Sequence, residues 1–245
     1  MKDAHPERVP ETNSATPSGS DMTCHRIRGF REALNPRLLS CSPTGCALSF
    51  VMPSISETWG TTAAERLRSF PCDQLIAHPD ATLYRGVTVH ASAPTVFRWL
   101  CQLRVAPYSY DWIDNAGKQS PPKLTPGLED IAVGQTAMRS FDIVAVEKDR
   151  HLTLRFKRGS DASRMFGDVV VSYAVFAEAN AAERCRLLAK LMVKYSPGVY
   201  GKVMRRVLPW GDLIMMRRQL LNLKRLAEET NSVHPLCTCL GFVDT

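Results

Sequence analysis

Apolar residues recur at helical spacing near the end of the chain and at strand spacing ahead of it. At about 100° per residue, Leu213, Met216, Leu220, Leu223 and Ala227 fall within one arc of a helix over residues 209–229, and Arg218 and Arg225 fall opposite. Pro209 suits the first turn of that helix, and Asp212 sets negative charge near its positive N-terminal end. Farther back, residues 82–92 alternate Leu83, Val87 and Val89 against Tyr84, Thr88 and His90, the period of a half-buried strand. Arg85 interrupts that apolar alternation and is expected on an exposed edge, since an inward guanidinium would need a carboxylate or an acidic ligand to offset its desolvation.

A short helix follows over 93–103, where Val96, Phe97, Leu100 and Cys101 stand at helical spacing behind Ser92 as cap and Pro94 in the first turn. Residues 108–115 predict a helical turn, and 117–130 a loop. Strands resume at Thr136, with candidates at 136–148, 151–159, 168–179 and 183–196. Leu152, Leu154 and Phe156 share one face, as do Val169, Val171, Tyr173 and Val175, while Arg155 and Lys157 take the other. Short connections predict antiparallel neighbours and a curved sheet with one wet face. Residues 196–208 open on a Pro-Gly break and read as a separate helical segment before Pro209. The order of strand, short helix, sheet and long closing helix predicts an α+β helix-grip fold, a curved antiparallel sheet wrapped around the C-terminal helix with an apolar cavity between them.

Composition divides the 245 residues unevenly. Residues 1–56 lack a sustained period and offer little apolar burial against the entropy of ordering, so a disordered extension is expected there. The domain then occupies 57–230, and 231–245 form a loose tail. The run at 47–52 is too short to span a bilayer and no secretory pattern opens the chain, which points to a cytoplasmic protein. None of the eight cysteines forms a CxxC pair or stands at zinc-site spacing with histidines, so no metal is expected. Cys101 and Cys185 read as small buried groups, and Cys24, Cys41, Cys46, Cys72, Cys237 and Cys239 as thiols on mobile tails.

The segments 88–103, 108–115, 128–135 and 212–228, above all Tyr108-Ser109-Tyr110-Asp111-Trp112 and Met215-Met216-Arg217-Arg218-Gln219-Leu220, resemble a bacterial branch of the START-like (SRPBCC) superfamily of the polyketide cyclase/dehydrase and lipid-transport type. The resemblance spans residues 57–229 and implies a helix grip with a deep apolar cavity. It does not imply a reaction, because that fold serves binders, cyclases and protein partners alike.

Residue chemistry then nominates the site. Tyr108, Tyr110 and Trp112, with Phe141, Phe156, Tyr173, Met216 and Leu220, are the candidate ligand contacts. For catalysis, Asp111 or Asp142 is the candidate general base, with Tyr173 or Arg139 steadying an enolate oxygen. His90 and His151 read as groups at strand ends. No phosphate loop, dinucleotide fingerprint, GxSxG or HExxH is present, and no cofactor is expected. The leading reading is a binder or carrier of a hydrophobic small molecule such as a lipid, polyketide or aromatic compound. A cofactor-free cyclase/dehydratase using the same cavity stands beside it. A third reading, an interaction protein that uses the basic C-terminal helix, follows from the net charge of +7, whose cations gather in the last third, where they suit an anionic membrane surface or an acidic macromolecule rather than sequence-specific nucleic acid.

Overall fold

The structure is a computed structural model in which residues 54–179 and 181–233 are described. The expected extension and tail lie outside the described residues, except at their inner ends, as do Cys24, Cys41, Cys46, Cys237 and Cys239.

The fold is the α+β helix grip that the alternation and the closing stripe predict. Six antiparallel strands lie in the order β1-β6-β5-β4-β3-β2, with β1 Ala81–Val89, β2 Thr136–Ala137, β3 Phe141–Glu147, β4 His151–Phe156, β5 Asp168–Glu178 and β6 Ala181–Lys194. β6 thus reaches back to pair with β1, Leu83 opposite Leu191 and Val87 opposite Leu187. The expected strand over 136–148 divides into β2 and β3, because Met138 and Arg139 both adopt left-handed backbone, at φ 44° and 61°, and reverse the chain. Neither residue is a glycine or asparagine, so the turn carries no sequence signature.

Short helices precede and interleave with the sheet: α1 Ile55–Thr58, α2 Ala63–Arg66, α3 Ala93–Cys101, α4 Asp111–Asp114 and α5 Asp161–Phe166. Ser92 caps α3 by accepting from the Thr95 amide, as its position predicts. Val96, Phe97, Leu100 and Cys101 of α3 are buried on the inner face of the sheet together with Leu83, Val89, Leu152, Leu154 and Tyr173.

The closing helix, α6, runs over Val199–Val233. It starts ten residues before the predicted first turn and absorbs the segment read as separate. Pro209 therefore sits inside a helix, a position that costs about 3 kcal/mol in isolation and that only tertiary packing offsets. Leu213, Met216, Leu220, Leu223 and Ala227 all face the core, as their arc requires. Among the described residues no helix is long and apolar enough to cross a membrane.

The outer face of the sheet is not uniformly wet. A 3-10 turn at Pro71–Gln74 lays Phe70, Cys72 and Ile76 over Val170, Ala174, Leu188 and Met192, forming a second apolar cluster. Cys72 is consequently buried rather than on a tail, and its amide donates to Ser172 Oγ at 3.0 Å. Upstream of this turn the chain crosses β1 at Gly60 and Gly86. A Cβ at Gly60 would stand 2.1 Å from the Gly86 carbonyl oxygen, so the crossing admits no side chain.

Candidate functional site

Between the inner face of the sheet and the first half of α6 lies a cavity of about 550 Å³. Val169, Val171 and Leu191 form its floor, and Met204, Leu208, Met215 and Met216 its roof. One wall is aromatic: Phe141 and Phe156 have ring centroids 4.3 Å apart, and Phe166 of α5 continues the row at 6.2 Å. The opening is bordered by Ile113, Met165, Tyr200 and Val207, which line the cavity and are about half exposed.

A few polar groups interrupt this surface. Tyr173 rises from β5, where residue alternation puts it on the inner face, and its hydroxyl donates to Gln219 Oε1 at 2.7 Å. Gln219 in turn donates to the Pro107 carbonyl at 2.6 Å, which fixes the orientation of its amide. Burial pushes the Tyr173 phenol far above its ordinary range, so it acts as a neutral hydrogen-bonding group.

Two carboxylates also line the cavity, Asp114 and Asp212. Burial raises both, Asp212 to about 6 despite the guanidinium beside it. That guanidinium is Arg85. Strand periodicity puts it on the same inward face as Leu83 and Val87, and only 1% of its side chain is exposed. Arg85 Nη2 donates to Asp212 Oδ2 at 2.7 Å and to the Ser56 and Pro209 carbonyls, while Nη1 donates to the Tyr84 carbonyl at 2.8 Å. The expectation of an exposed edge is therefore corrected. Among the described residues Asp212 Oδ1 accepts no hydrogen bond, which leaves one oxygen of a wall carboxylate for a ligand donor.

Of the residues nominated from sequence, Phe141, Phe156, Tyr173 and Met216 line this cavity. Tyr108, Tyr110, Trp112 and Leu220 lie outside its lining. Tyr108 is buried edge-to-face on Trp99, with centroids 5.9 Å apart, and Leu220 is packed into the core. Tyr110 lies under the Arg218 guanidinium, and Trp112 points to solvent with 75% of its surface exposed. Asp111 and Asp142 are corrected too. Asp111 closes the loop after α4 by accepting from the Ser120 amide at 2.9 Å and its hydroxyl at 2.6 Å. Asp142 projects beside Lys157 at 4.0 Å with its side chain nearly half exposed, and Arg139 is exposed in the β2–β3 turn. His151 pairs with Glu147 at the start of β4, and His90 is exposed beyond β1.

Asp212 is the group that sequence reasoning missed. Its signal was Arg85, whose break in an apolar strand face demands a buried counter-charge. Among the described residues, no group of three His, Cys, Asp or Glu side chains is placed to hold a metal ion.

No protein-family model matches the chain, and no curated protein matches it. Solved structures do. Norcoclaurine synthase from Thalictrum flavum, in complex with dopamine and hydroxybenzaldehyde, is 15% identical over 60% of this chain and 86% of its own, with a TM-score of 0.35. A hypothetical protein from Helicobacter pylori is 16% identical over 65% of this chain and 95% of its own, at 0.44. The di-domain ARO/CYC StfQ of the steffimycin biosynthetic pathway is 13% identical over 62% of this chain, at 0.38, and the match spans 51% of that longer protein. By its own strand order and closing helix, the chain has a helix-grip fold.

Proposed function

We propose that this protein binds or carries a hydrophobic small molecule, of lipid, polyketide or aromatic type, in the cavity between sheet and α6. The observation that supports this reading is the cavity itself: a volume of about 550 Å³, walled by methionine, aliphatic and aromatic side chains. Its few polar groups, the Tyr173–Gln219 pair and the free oxygen of Asp212, suit orienting a ligand more than holding a strongly charged one. The test is native mass spectrometry of the purified full chain, followed by organic extraction. The expected result is a retained apolar compound that dissociates on denaturation. A chain that is folded, empty and unable to take up any apolar probe would overturn the reading.

A second reading, a cofactor-free cyclase/dehydratase, is favoured by one group. A wall carboxylate held near 6 is poised to accept a proton close to neutral pH. Asp212 replaces Asp111 and Asp142 in that role. Turnover of the extracted compound that falls at least about a hundredfold in Asp212→Asn, with binding retained, would establish it.

A further inference from the structure

The first turns of α6 expose what a soluble helix ordinarily hides. Val203, Val207, Trp210 and Ile214 are 48%, 53%, 52% and 56% exposed, and Val199 and Tyr200 extend the row. At helical spacing these six side chains lie within about 100° of one another, so they form one continuous apolar stripe. The stripe is the outer lip of the cavity, because Tyr200 and Val207 belong to both. Ile113 and Met165 border the opening as well, and both are about half exposed.

The charges beside the stripe have one sign. From Val199 to Arg218 the chain carries Lys202, Arg205, Arg206, Arg217 and Arg218, all exposed, and its one acidic residue there, Asp212, is turned inward onto Arg85. Arg205 shares Asp80 with Lys194, and Arg217 and Arg218 lie over the rings of Trp59 and Tyr110 and remain exposed. A two-fold pairing of this stripe with a second copy would set these cations against one another, with no exposed carboxylate on the stripe to compensate. An anionic lipid surface supplies both what the apolar stripe needs and what the cations need.

We propose that the Val199–Ile214 face of α6 seats the cavity mouth on an anionic lipid bilayer. This rests on the reading of the cavity as an apolar-ligand site. Docked in this way, the opening meets the acyl region at its own lip, and a hydrophobic ligand passes between bilayer and cavity without crossing water.

The test is co-sedimentation of the full chain with vesicles of phosphatidylcholine containing about one third phosphatidylserine. The expected result is binding that weakens at least about tenfold on pure phosphatidylcholine vesicles or in high salt. A Val203→Glu, Ile214→Glu double variant leaves the cavity lining untouched and should weaken binding by at least about tenfold as well, with an unchanged thermal transition. Failure of the wild-type chain to bind either vesicle, or equal binding by the double variant, would overturn the proposal. A dimer in light scattering that the same double variant splits would also overturn it, in favour of a second copy on the stripe. Native mass spectrometry of the same sample reads cavity occupancy separately, so a retained ligand with no vesicle binding overturns the docking and leaves the cavity reading intact.

Discussion

The two ends of α6 are built from similar residues and are used in opposite ways. Toward its C-terminus, Leu220, Leu223, Leu226 and Ala227 are buried against α3 and β1, and polar ties lock the helix in place. Asn222 donates to the Tyr108 carbonyl at 2.9 Å, Lys224 to the Thr88 carbonyl at 2.7 Å, and Trp99 to Thr230 Oγ1 at 3.0 Å. Toward its N-terminus, the helix instead roofs a cavity on one side and leaves valine, tryptophan and isoleucine in solvent on the other. The difference lies in what stands opposite. α3 fills the space beneath the second half, whereas beneath the first half the sheet curves away and α5 closes only one side. A packed half holds the fold and an unpacked half holds the site, and the Arg85–Asp212 pair joins the helix to β1 within the unpacked half.

That pair gives the largest test of the contrast. Arg85→Met leaves Asp212 buried without its cation and should lower unfolding free energy by about 3–5 kcal/mol in urea titration. Adding Asp212→Asn should recover part of the loss. If the double variant were no more stable than the single one, the pair would not be what ties the roof to the strand.

Next in size, Leu220→Ala should cost about 3 kcal/mol, while Ile214→Ala should stay within about 0.5 kcal/mol of wild type. Equal losses at the two positions would erase the distinction between the halves.

A smaller effect is expected from pH. Burial holds Asp212 near 6 in the folded chain, above the ordinary 3.8 that it regains on unfolding. The folded state therefore binds this proton first as pH falls, and the cost of burying the charge is relieved between about pH 6 and pH 4. The stability of wild type relative to Asp212→Asn should rise from about pH 7 to about pH 5. A difference that is flat or reversed would show that Asp212 keeps its charge through this range.

The smallest expected change in stability comes from Gly211, which lines the cavity and where an added Cβ would meet no atom within 4 Å. Gly211→Leu should gain up to about 1 kcal/mol from helix propensity while filling ligand space. Retention of an apolar ligand, followed by native mass spectrometry, should fall as melting temperature rises. Undiminished retention would place the ligand elsewhere.

Much of this architecture was legible in the residues. The alternation of Leu83, Val87 and Val89, the Ser92 cap and the arc from Leu213 to Ala227 each reflect a local period, and local periods survive folding. Less legible were features made by contacts distant in sequence. The β2–β3 reversal at Met138 and Arg139 lacks turn residues, so nothing local announced it. The Pro71–Gln74 turn is too short to carry a period, and its burial of Cys72 depends on what Val170 and Met192 present from the sheet. The site divides in the same way. Phe156, Tyr173 and Met216 follow from strand and helix faces, whereas Tyr108 and Trp112 share the composition of a pocket mouth and sit outside it.

By itself the sequence determined which residues alternate, which recur at helical spacing, and hence the elements and the face each one buries, because backbone geometry enforces those periods over a few residues. Only the tertiary structure decided that α6 continues through Pro209, that its first half roofs a cavity instead of a core, and that Arg85 turns inward. Arg85 and Asp212 are 127 residues apart, and an inward charge is tolerable only once its partner has been brought to it.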